Sequence, residues 1–232
     1  MESNGPIAMN TRKMAIILEA LSGAIVSLAL LSWFTGHWEW LSLGTRRVPI
    51  APATAILLLL LNSLLLAEAF CSKKPVSRRF CRSLAVLITM SGLLALMRPF
   101  FGWPSPLETW LAGSTETIAN ASVGQMSPLT GLAFLLAGSA FLAQAFRSSS
   151  KRLSRWIELG FSLFVLFISG AVILSYLVGT PIFSDRAIIP MALWTAIILL
   201  ITSIAMMLRC VGVESLASSA TSGAEKPPVL RS

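Results

Sequence analysis

Six long runs of apolar residues, separated by short polar segments, dominate the pattern along the chain. They cover approximately residues 14–34, 51–71, 83–102, 128–146, 156–178 and 187–208. Because a helix rises about 1.5 Å per residue, about 20 apolar residues cross the hydrocarbon core of a bilayer. Lipid offers backbone polar groups no water, so segments that cross it are expected to be helical. The pattern therefore predicts an all-α, polytopic membrane protein with six transmembrane helices.

The same pattern divides the chain into three parts. We expect a cytoplasmic N-terminus at residues 1–13, a six-helix transmembrane domain at residues 14–208 and a tail at residues 209–232. The tail is rich in Ser, Ala, Gly and Pro and has no periodic apolar face. Such a composition is typical of disorder, so we predict a disordered cytoplasmic tail that is too short to be an output domain.

Charged residues are scarce, and the basic ones are distributed unevenly. Charged residues make up 12% of the sequence, whereas soluble domains average about 25%. The formal net charge is +8, and 14 of the 18 Lys and Arg residues lie in segments on one side of the predicted helices. Cytoplasmic loops of membrane proteins carry such an excess, which places both termini in the cytoplasm. The lipid bilayer is therefore the expected partner, and no nucleic-acid binding is predicted.

The second, fourth and sixth runs begin with similar sequences. Residues 50–55 read IAPATA, residues 126–131 read MSPLTG, and residues 191–196 read MALWTA. Proline lacks an N–H group and suits the first position of a helix, so we expect helix starts at or near Pro52, Pro128 and Pro190. Ser127, which precedes one of these prolines, is a typical N-cap residue.

The first, third and fifth runs also resemble one another. Each contains a central Ser-Gly pair, with Gly23, Gly92 or Gly170, and each reaches a further glycine near its outer end. Small residues allow helices to approach closely in lipid, so these three glycines are predicted to mark helix–helix contacts. Together with the similar starts of the even-numbered runs, they predict three helical-hairpin repeats.

Polar and aromatic groups at the outer ends of the runs are open to two interpretations. Thr54, Thr130 and Thr195 fall in or near the first turns of their helices, where a hydroxyl group can bond to the backbone or to another helix. Alternatively, three converging helix N-termini form a polar pocket for a ligand. Trp103 and Tyr176 belong to an aromatic belt at the membrane interface or line such a pocket. These five residues are the candidate ligand-binding residues.

No catalytic, metal or cofactor site is predicted. His37 is the only histidine and the three cysteines form no CxxC pair, so a metal site at the usual ligand count is not expected. The sequence has no nucleophile–base set or phosphate-binding loop, so we expect no enzymatic activity. Glu19, Glu68 and Glu158 lie near the predicted cytoplasmic ends of helices, where a basic partner is close and we expect solvated or snorkelling carboxylates. Asn62, in the middle of the second run, is expected to bond between helices.

Three segments resemble a known family of membrane sensors. They are residues 48–67, residues 125–143, and residues 176–208 with the stretch IPMALWTAIILL. Here the sequence resembles the N-terminal multi-pass membrane segment of bacterial sensor histidine kinases and of PAS- or GGDEF-containing signalling proteins. The resemblance implies a sensory domain in the bacterial inner membrane, which a kinase or cyclase follows in those proteins. In this chain only the predicted tail follows the last run.

Three functions are compatible with these features. The first is a sensory, signal-transducing module without its own output domain, which acts by helix repacking on a separate histidine kinase or cyclase and can form homo-oligomers. The second is a small transporter or channel. The repeats favour this function, whereas the lack of a charged residue in the middle of any run argues against it. The third is a structural partner of another membrane protein. We expect the first.

Overall fold

The computed structural model describes residues 4–37, 49–71, 75–102, 108, 110–111, 117–118, 121–122, 124–145, 151–179 and 191–223. In this part of the chain the long helices are α1 (Asn4–Phe34), α2 (Pro52–Cys71), α3 (Pro75–Phe101), α4 (Pro128–Ala145), α5 (Lys151–Val178) and α6 (Leu193–Gly223). A two-residue antiparallel ladder between α3 and α4 pairs β1 (Thr117–Ile118) with β2 (Ala121–Ser122). The prediction of an all-α protein is confirmed.

Five of these helices, α1, α2, α3, α5 and α6, are long and apolar enough to cross a membrane. The apolar part of α4, Pro128–Ala143, is shorter. Large apolar side chains on the outside of the bundle are exposed, including Phe34, Phe167 and Leu177, as expected where lipid replaces water. Length, composition and exposure together indicate a membrane protein.

Several helices extend beyond the apolar runs that predict them. The basic segments before the third and fifth runs are helical, because α3 starts at Pro75 and α5 at Lys151. The sequence predicts disorder from residue 209, whereas α6 continues to Gly223. Each further residue adds to an existing helix at low cost, and residues 210–223 contain no proline to stop it. Residues 224–232 lie outside the described part of the chain.

The helices form one closed bundle. Each packs on its neighbours in the sequence, and α1 packs extensively on α6, while α2 also touches α4 and α6. Half of the apolar span of α6 and 44% of that of α2 are buried, against 28% for α1, α3 and α5. The helices α2 and α6 therefore lie further inside the bundle, and the odd-numbered helices lie further outside.

The helices α3 and α4 approach each other backbone to backbone. A Cβ atom added at Gly92 would lie 2.5 Å from the backbone nitrogen of Leu135, and one added at Gly131 would lie 2.8 Å from the carbonyl oxygen of Gly92. Around Gly23 and Gly170, by contrast, nothing lies within 4 Å of such an atom. Of the three glycines predicted to mark helix contacts, only Gly92 lies where a neighbouring helix requires a glycine.

The odd-numbered helices end in the same way. Each is followed by a glycine in the left-handed region, namely Gly36 at φ 73°, Gly102 at φ 61° and Gly179 at φ 79°. Glycine adopts this conformation without steric cost, which makes it the usual residue just after a helix. The glycines that the sequence places near the outer ends are therefore helix-terminating residues.

Candidate functional site

The three candidate threonines occupy equivalent positions. Thr54, Thr130 and Thr195 are each the third residue of their helix, and each is 2% exposed. Pro52 and Pro128 are the first residues of α2 and α4, whereas Pro190 lies outside the described residues. The three threonines are thus buried within the first turns of α2, α4 and α6.

The backbone at these helix starts is also equivalent. The amides of Ala55, Gly131 and Ala196 donate to the carbonyls of the residues four positions earlier, at 2.9–3.0 Å. In α4, the backbone amide of Leu129 also donates to Oγ of Ser127 at 3.2 Å, which confirms the predicted N-cap. These contacts are those of ordinary helix starts.

Two aromatic side chains each connect the end of one helix to the start of the next long helix. The indole Nε1 of Trp33 donates to the carbonyl oxygen of Ile50 at 2.7 Å, and the hydroxyl of Tyr176 donates to that of Met191 at 2.9 Å. Each donor lies three residues before a terminal glycine, and each acceptor lies four residues before a candidate threonine. Tyr176 thus bonds to the backbone, and Trp103 lies outside the described residues.

The end of α3 differs from the ends of α1 and α5. Three residues before Gly102 the chain has Pro99, which carries no side-chain donor. The preceding Arg98 instead pairs with Glu108, which is 6% exposed. A charged pair therefore occurs at this end of α3, whereas the corresponding ends of α1 and α5 have an aromatic donor.

Removing either aromatic donor should destabilise the protein modestly. Tyr176→Phe and Trp33→Phe each leave a carbonyl at a helix start without its donor, so we expect a loss of about 1 kcal/mol for each. Trp194→Phe is the matched control, because Nε1 of Trp194 is buried without a hydrogen-bond partner in the described chain. Unfolding of the purified protein in detergent measures the three changes. A loss for Trp194→Phe as large as that for Trp33→Phe would contradict the assignment.

At the opposite end of the bundle, Arg209 connects three helices. Its guanidinium group, on α6, lies 3.5 Å from Oε1 of Glu19 on α1 and 3.2 Å from Oε2 of Glu68 on α2. The side chain of Glu19 is 0% exposed, whereas that of Glu68 is 33% exposed. The expectation of a solvated carboxylate is therefore wrong for Glu19, because α6 covers it and supplies its partner.

A second group of polar side chains lies nearer the middle of the same three helices. Nδ2 of Asn62 on α2 donates to Oγ of Ser22 on α1 at 3.1 Å, which confirms the prediction that Asn62 bonds between helices. Oγ of Ser22 lies 3.4 Å from Oγ1 of Thr202 on α6. All three residues are at most 2% exposed. Hydroxyl and amide groups therefore link α1, α2 and α6 at this level.

The residues that the sequence interpretation missed are Arg209, Ser22 and Thr202. A signal for their shared position exists, because Glu19 and Ser22 are three residues apart and Thr202 and Arg209 are seven apart. Each pair falls on one face of its helix. The sequence alone gives no indication that these two faces meet.

The ion pairs of Arg209 and the hydrogen bonds of Asn62, Ser22 and Thr202 together form a polar cluster between α1, α2 and α6. No protein-family model, no curated protein and no solved structure matches this chain. Arg209 makes the position of α6 dependent on those of α1 and α2 through two ion pairs. The role that the geometry supports is therefore a link between α1, α2 and α6.

Proposed function

We propose that this chain is a membrane-embedded sensory, signal-transducing module. The observation that carries the proposal is the contact of Arg209 with Glu19 and Glu68, which ties α6 to α1 and α2. Because α6 continues for 13 residues beyond Cys210, a displacement at this contact would move a helical segment outside the apolar span. The geometry supports relay of a signal from the bundle to α6.

The proposed architecture has six spans in three hairpins. The equivalent helix starts at Thr54, Thr130 and Thr195 and the terminal glycines of the odd-numbered helices support a threefold repeat. The helix α4 is the shortest of the six, with 18 residues rising about 27 Å, close to the thickness of a hydrocarbon core. It packs on α3 and α5, and we propose that it spans the membrane with them.

We propose a bacterial inner-membrane location with both termini in the cytoplasm. Arg209, at the end of the α6 span, meets Glu19 of α1 and Glu68 of α2, so three of the helix ends flanked by basic residues lie together. The positive-inside rule would place this end of the bundle in the cytoplasm. The resemblance to bacterial sensor segments supports the choice of membrane.

Signalling in this scheme is a shift between two packings of the bundle. A stimulus can shift the equilibrium only by its difference in affinity for the two states. Ion pairs between helices can exist in alternative arrangements, and Glu68 is exposed enough to exchange Arg209 for water. The proposed partners of the moving α6 are a separate histidine kinase or cyclase and a second copy of this chain.

A chimera tests the proposal. Residues 1–223 would be joined to the dimerisation and catalytic region of a bacterial histidine kinase, and autophosphorylation would be measured in membrane vesicles. Glu68→Gln removes the ion pair between Arg209 and Glu68 and leaves the ion pair between Arg209 and Glu19 in place. We expect it to change the steady-state phosphorylation about tenfold, which corresponds to a shift of about 1.4 kcal/mol between two states.

Lys13→Gln is the control for this chimera, because Lys13 is an exposed cation on α1 close to the same end of the bundle. It should leave phosphorylation unchanged. Equal phosphorylation in the unaltered, Glu68→Gln and Lys13→Gln chimeras would contradict the proposed relay through Arg209. Replacement of the outer loops should also alter the output if the stimulus acts on the outer side.

The second candidate is a small transporter or channel, and the buried Glu19 favours it. Its side chain is fully buried, and it lies about 14 Å into the α1 span that begins at Asn10. Buried ionisable residues in membrane proteins often line ion pathways. Solute flux in proteoliposomes that Glu19→Gln and Thr130→Val abolish would favour transport over signalling.

A further inference from the structure

Two exposed basic side chains lie where the apolar span of α3 begins. This span runs from Arg79 to Phe101, and both Arg79 and Arg82 are exposed on the surface of the bundle. Arg98, the next basic residue of the helix, lies 19 positions after Arg79. At about 1.5 Å per residue, Arg79 and Arg98 are about 28 Å apart, which is close to the thickness of a hydrocarbon core. The two exposed arginines therefore lie at the level of the lipid headgroups.

The same face of α3 is exposed and apolar further along the span. Val86, Leu87 and Met90 are all exposed, and they lie about one to three turns after the arginines. Val86 is seven residues after Arg79 and four after Arg82, a spacing that places all three on one side of a helix. Together these five residues form a continuous exposed stripe, basic at one end and apolar along the rest, which we call the α3 stripe.

Helix geometry directs the two arginines towards the headgroups. The Cα–Cβ bonds of a helix tilt towards its N-terminus, and both arginines lie within the first eight residues of α3, which starts at Pro75. A long basic side chain also extends its charged end to the interface while its methylene groups cover apolar surface. The guanidinium groups can therefore meet headgroups while the apolar part of the α3 stripe meets acyl chains.

The positive charge of the α3 stripe is not offset by acidic residues of the neighbouring helices. Residues 75–101, which form α3, contain no Asp or Glu. The helix α3 packs on α4, which also has no acidic residue, and on α2, whose one carboxylate, Glu68, pairs with Arg209. The partial positive charge of the helix N-terminus adds to that of Arg79 and Arg82. An anion bound at this position would offset these charges.

We propose that Arg79 and Arg82 bind the phosphate group of an anionic phospholipid, whose acyl chains lie along Val86, Leu87 and Met90. Guanidinium groups make charge-assisted and often bidentate hydrogen bonds to phosphate. Met90 lies about 12 Å along the helix from Arg82, and one leaflet is half of a core about 30 Å thick. Headgroup and acyl chains of one lipid can therefore reach the whole α3 stripe.

Two features select this ligand. A zwitterionic lipid carries its own cation beside the phosphate, whereas an anionic lipid brings a net negative charge to the two arginines. Inorganic phosphate could contact Arg79 and Arg82 but would leave the apolar part of the α3 stripe unused. The site does not depend on the proposed signalling function, because it requires neither an output partner nor a particular orientation in the membrane.

The test uses the purified full-length chain in an uncharged detergent. Thermal unfolding is followed by tryptophan fluorescence while phosphatidylglycerol, phosphatidylcholine or inorganic phosphate is added at equal concentration and equal ionic strength. A ligand that binds only the folded protein raises the unfolding midpoint with its concentration. We expect phosphatidylglycerol to raise the midpoint, and phosphatidylcholine and inorganic phosphate to leave it unchanged.

Variants locate the effect. Arg79→Gln combined with Arg82→Gln should need at least about tenfold more phosphatidylglycerol for the same rise in midpoint, because both guanidinium groups are lost. Both side chains are exposed, so this variant should fold. Lys226→Gln combined with Arg231→Gln is the matched control, because it removes the same charge beyond the α6 span, which ends at Cys210. This control should keep the full response.

Three results would overturn the proposal. One is an unaltered protein that does not respond to phosphatidylglycerol, or that responds equally to phosphatidylcholine. Another is an equal rise in midpoint with inorganic phosphate alone, which would show that no lipid is required. The third is an equal response of the Arg79 and Arg82 double variant and of the Lys226 and Arg231 double variant, which would show that the position of the charges has no effect.

Discussion

Replacing Gly92 by alanine is expected to destabilise the bundle severely, although only one methyl group is added. The new Cβ would lie 2.5 Å from the backbone nitrogen of Leu135 and 2.6 Å from the carbonyl oxygen of Gly131. Backbone atoms cannot rotate away, so α3 and α4 would have to separate along their contact. We expect a loss of more than about 4 kcal/mol in the free energy of unfolding, measured by SDS titration of the purified chain.

The matched control for this prediction is Gly170→Ala in α5. No atom lies within 4 Å of the Cβ that this substitution adds. Alanine is favoured over glycine inside a helix by about 1 kcal/mol, so stability should stay the same or rise slightly. If both substitutions had the same effect, the close backbone approach of α3 and α4 could not be correct.

Replacing Arg209 by glutamine should cost about 3–5 kcal/mol, the usual range when one partner of a buried ion pair is removed. Glu19 would then be a fully buried carboxylate without its cation, whereas Glu68 is 33% exposed and could turn towards water. Unfolding in SDS should therefore begin at a lower detergent fraction. The loss is expected to come mainly from Glu19.

The double variant Arg209→Gln with Glu19→Gln separates this cause from a general loss of packing. Replacing the buried carboxylate of Glu19 by a neutral amide should recover most of the lost stability, because no buried charge then remains at this contact. Lys13→Gln alone should have no measurable effect. A double variant as unstable as the sum of its two single variants would show that Arg209 and Glu19 do not interact.

The helices themselves could be predicted from hydrophobic pattern alone. In lipid a long apolar run has one way to satisfy its backbone, so the six runs fix six helices. Their ends were harder to predict, because helix growth beyond an apolar run depends on local propensity rather than on hydropathy. For this reason α6 continues to Gly223, although the sequence after residue 208 predicts disorder.

The polar cluster could be predicted only in part. Asn62 lies in the middle of an apolar run, which by itself calls for a hydrogen-bond partner on another helix, and that partner is Ser22. Glu19 gives a weaker signal, because a carboxylate near a helix end can reach water unless another helix covers it. Its partner Arg209 is 190 residues away in the sequence. No local pattern connects the two.

The small residues also show that the sequence does not reveal which faces of the helices meet. The local sequence does not distinguish Gly23, Gly92 and Gly170, because each follows a serine in the middle of an odd-numbered run. Only Gly92 lies against the backbone of another helix, and the other two face open space within the chain. Which face of a helix meets a neighbour depends on helix rotation, and a run that is apolar on every side leaves that rotation undetermined.

The sequence by itself determined the helical class, the apolar spans and the glycine, proline and serine signals at their ends. These follow from local physics, because backbone hydrogen bonding, φ preferences and transfer into lipid act on each segment separately. Only the tertiary structure decided that α1, α2 and α6 share a buried cluster and that α3 and α4 meet at glycines. These features depend on which faces of distant segments come together, and in lipid the apolar surface of a helix does not select one partner over another.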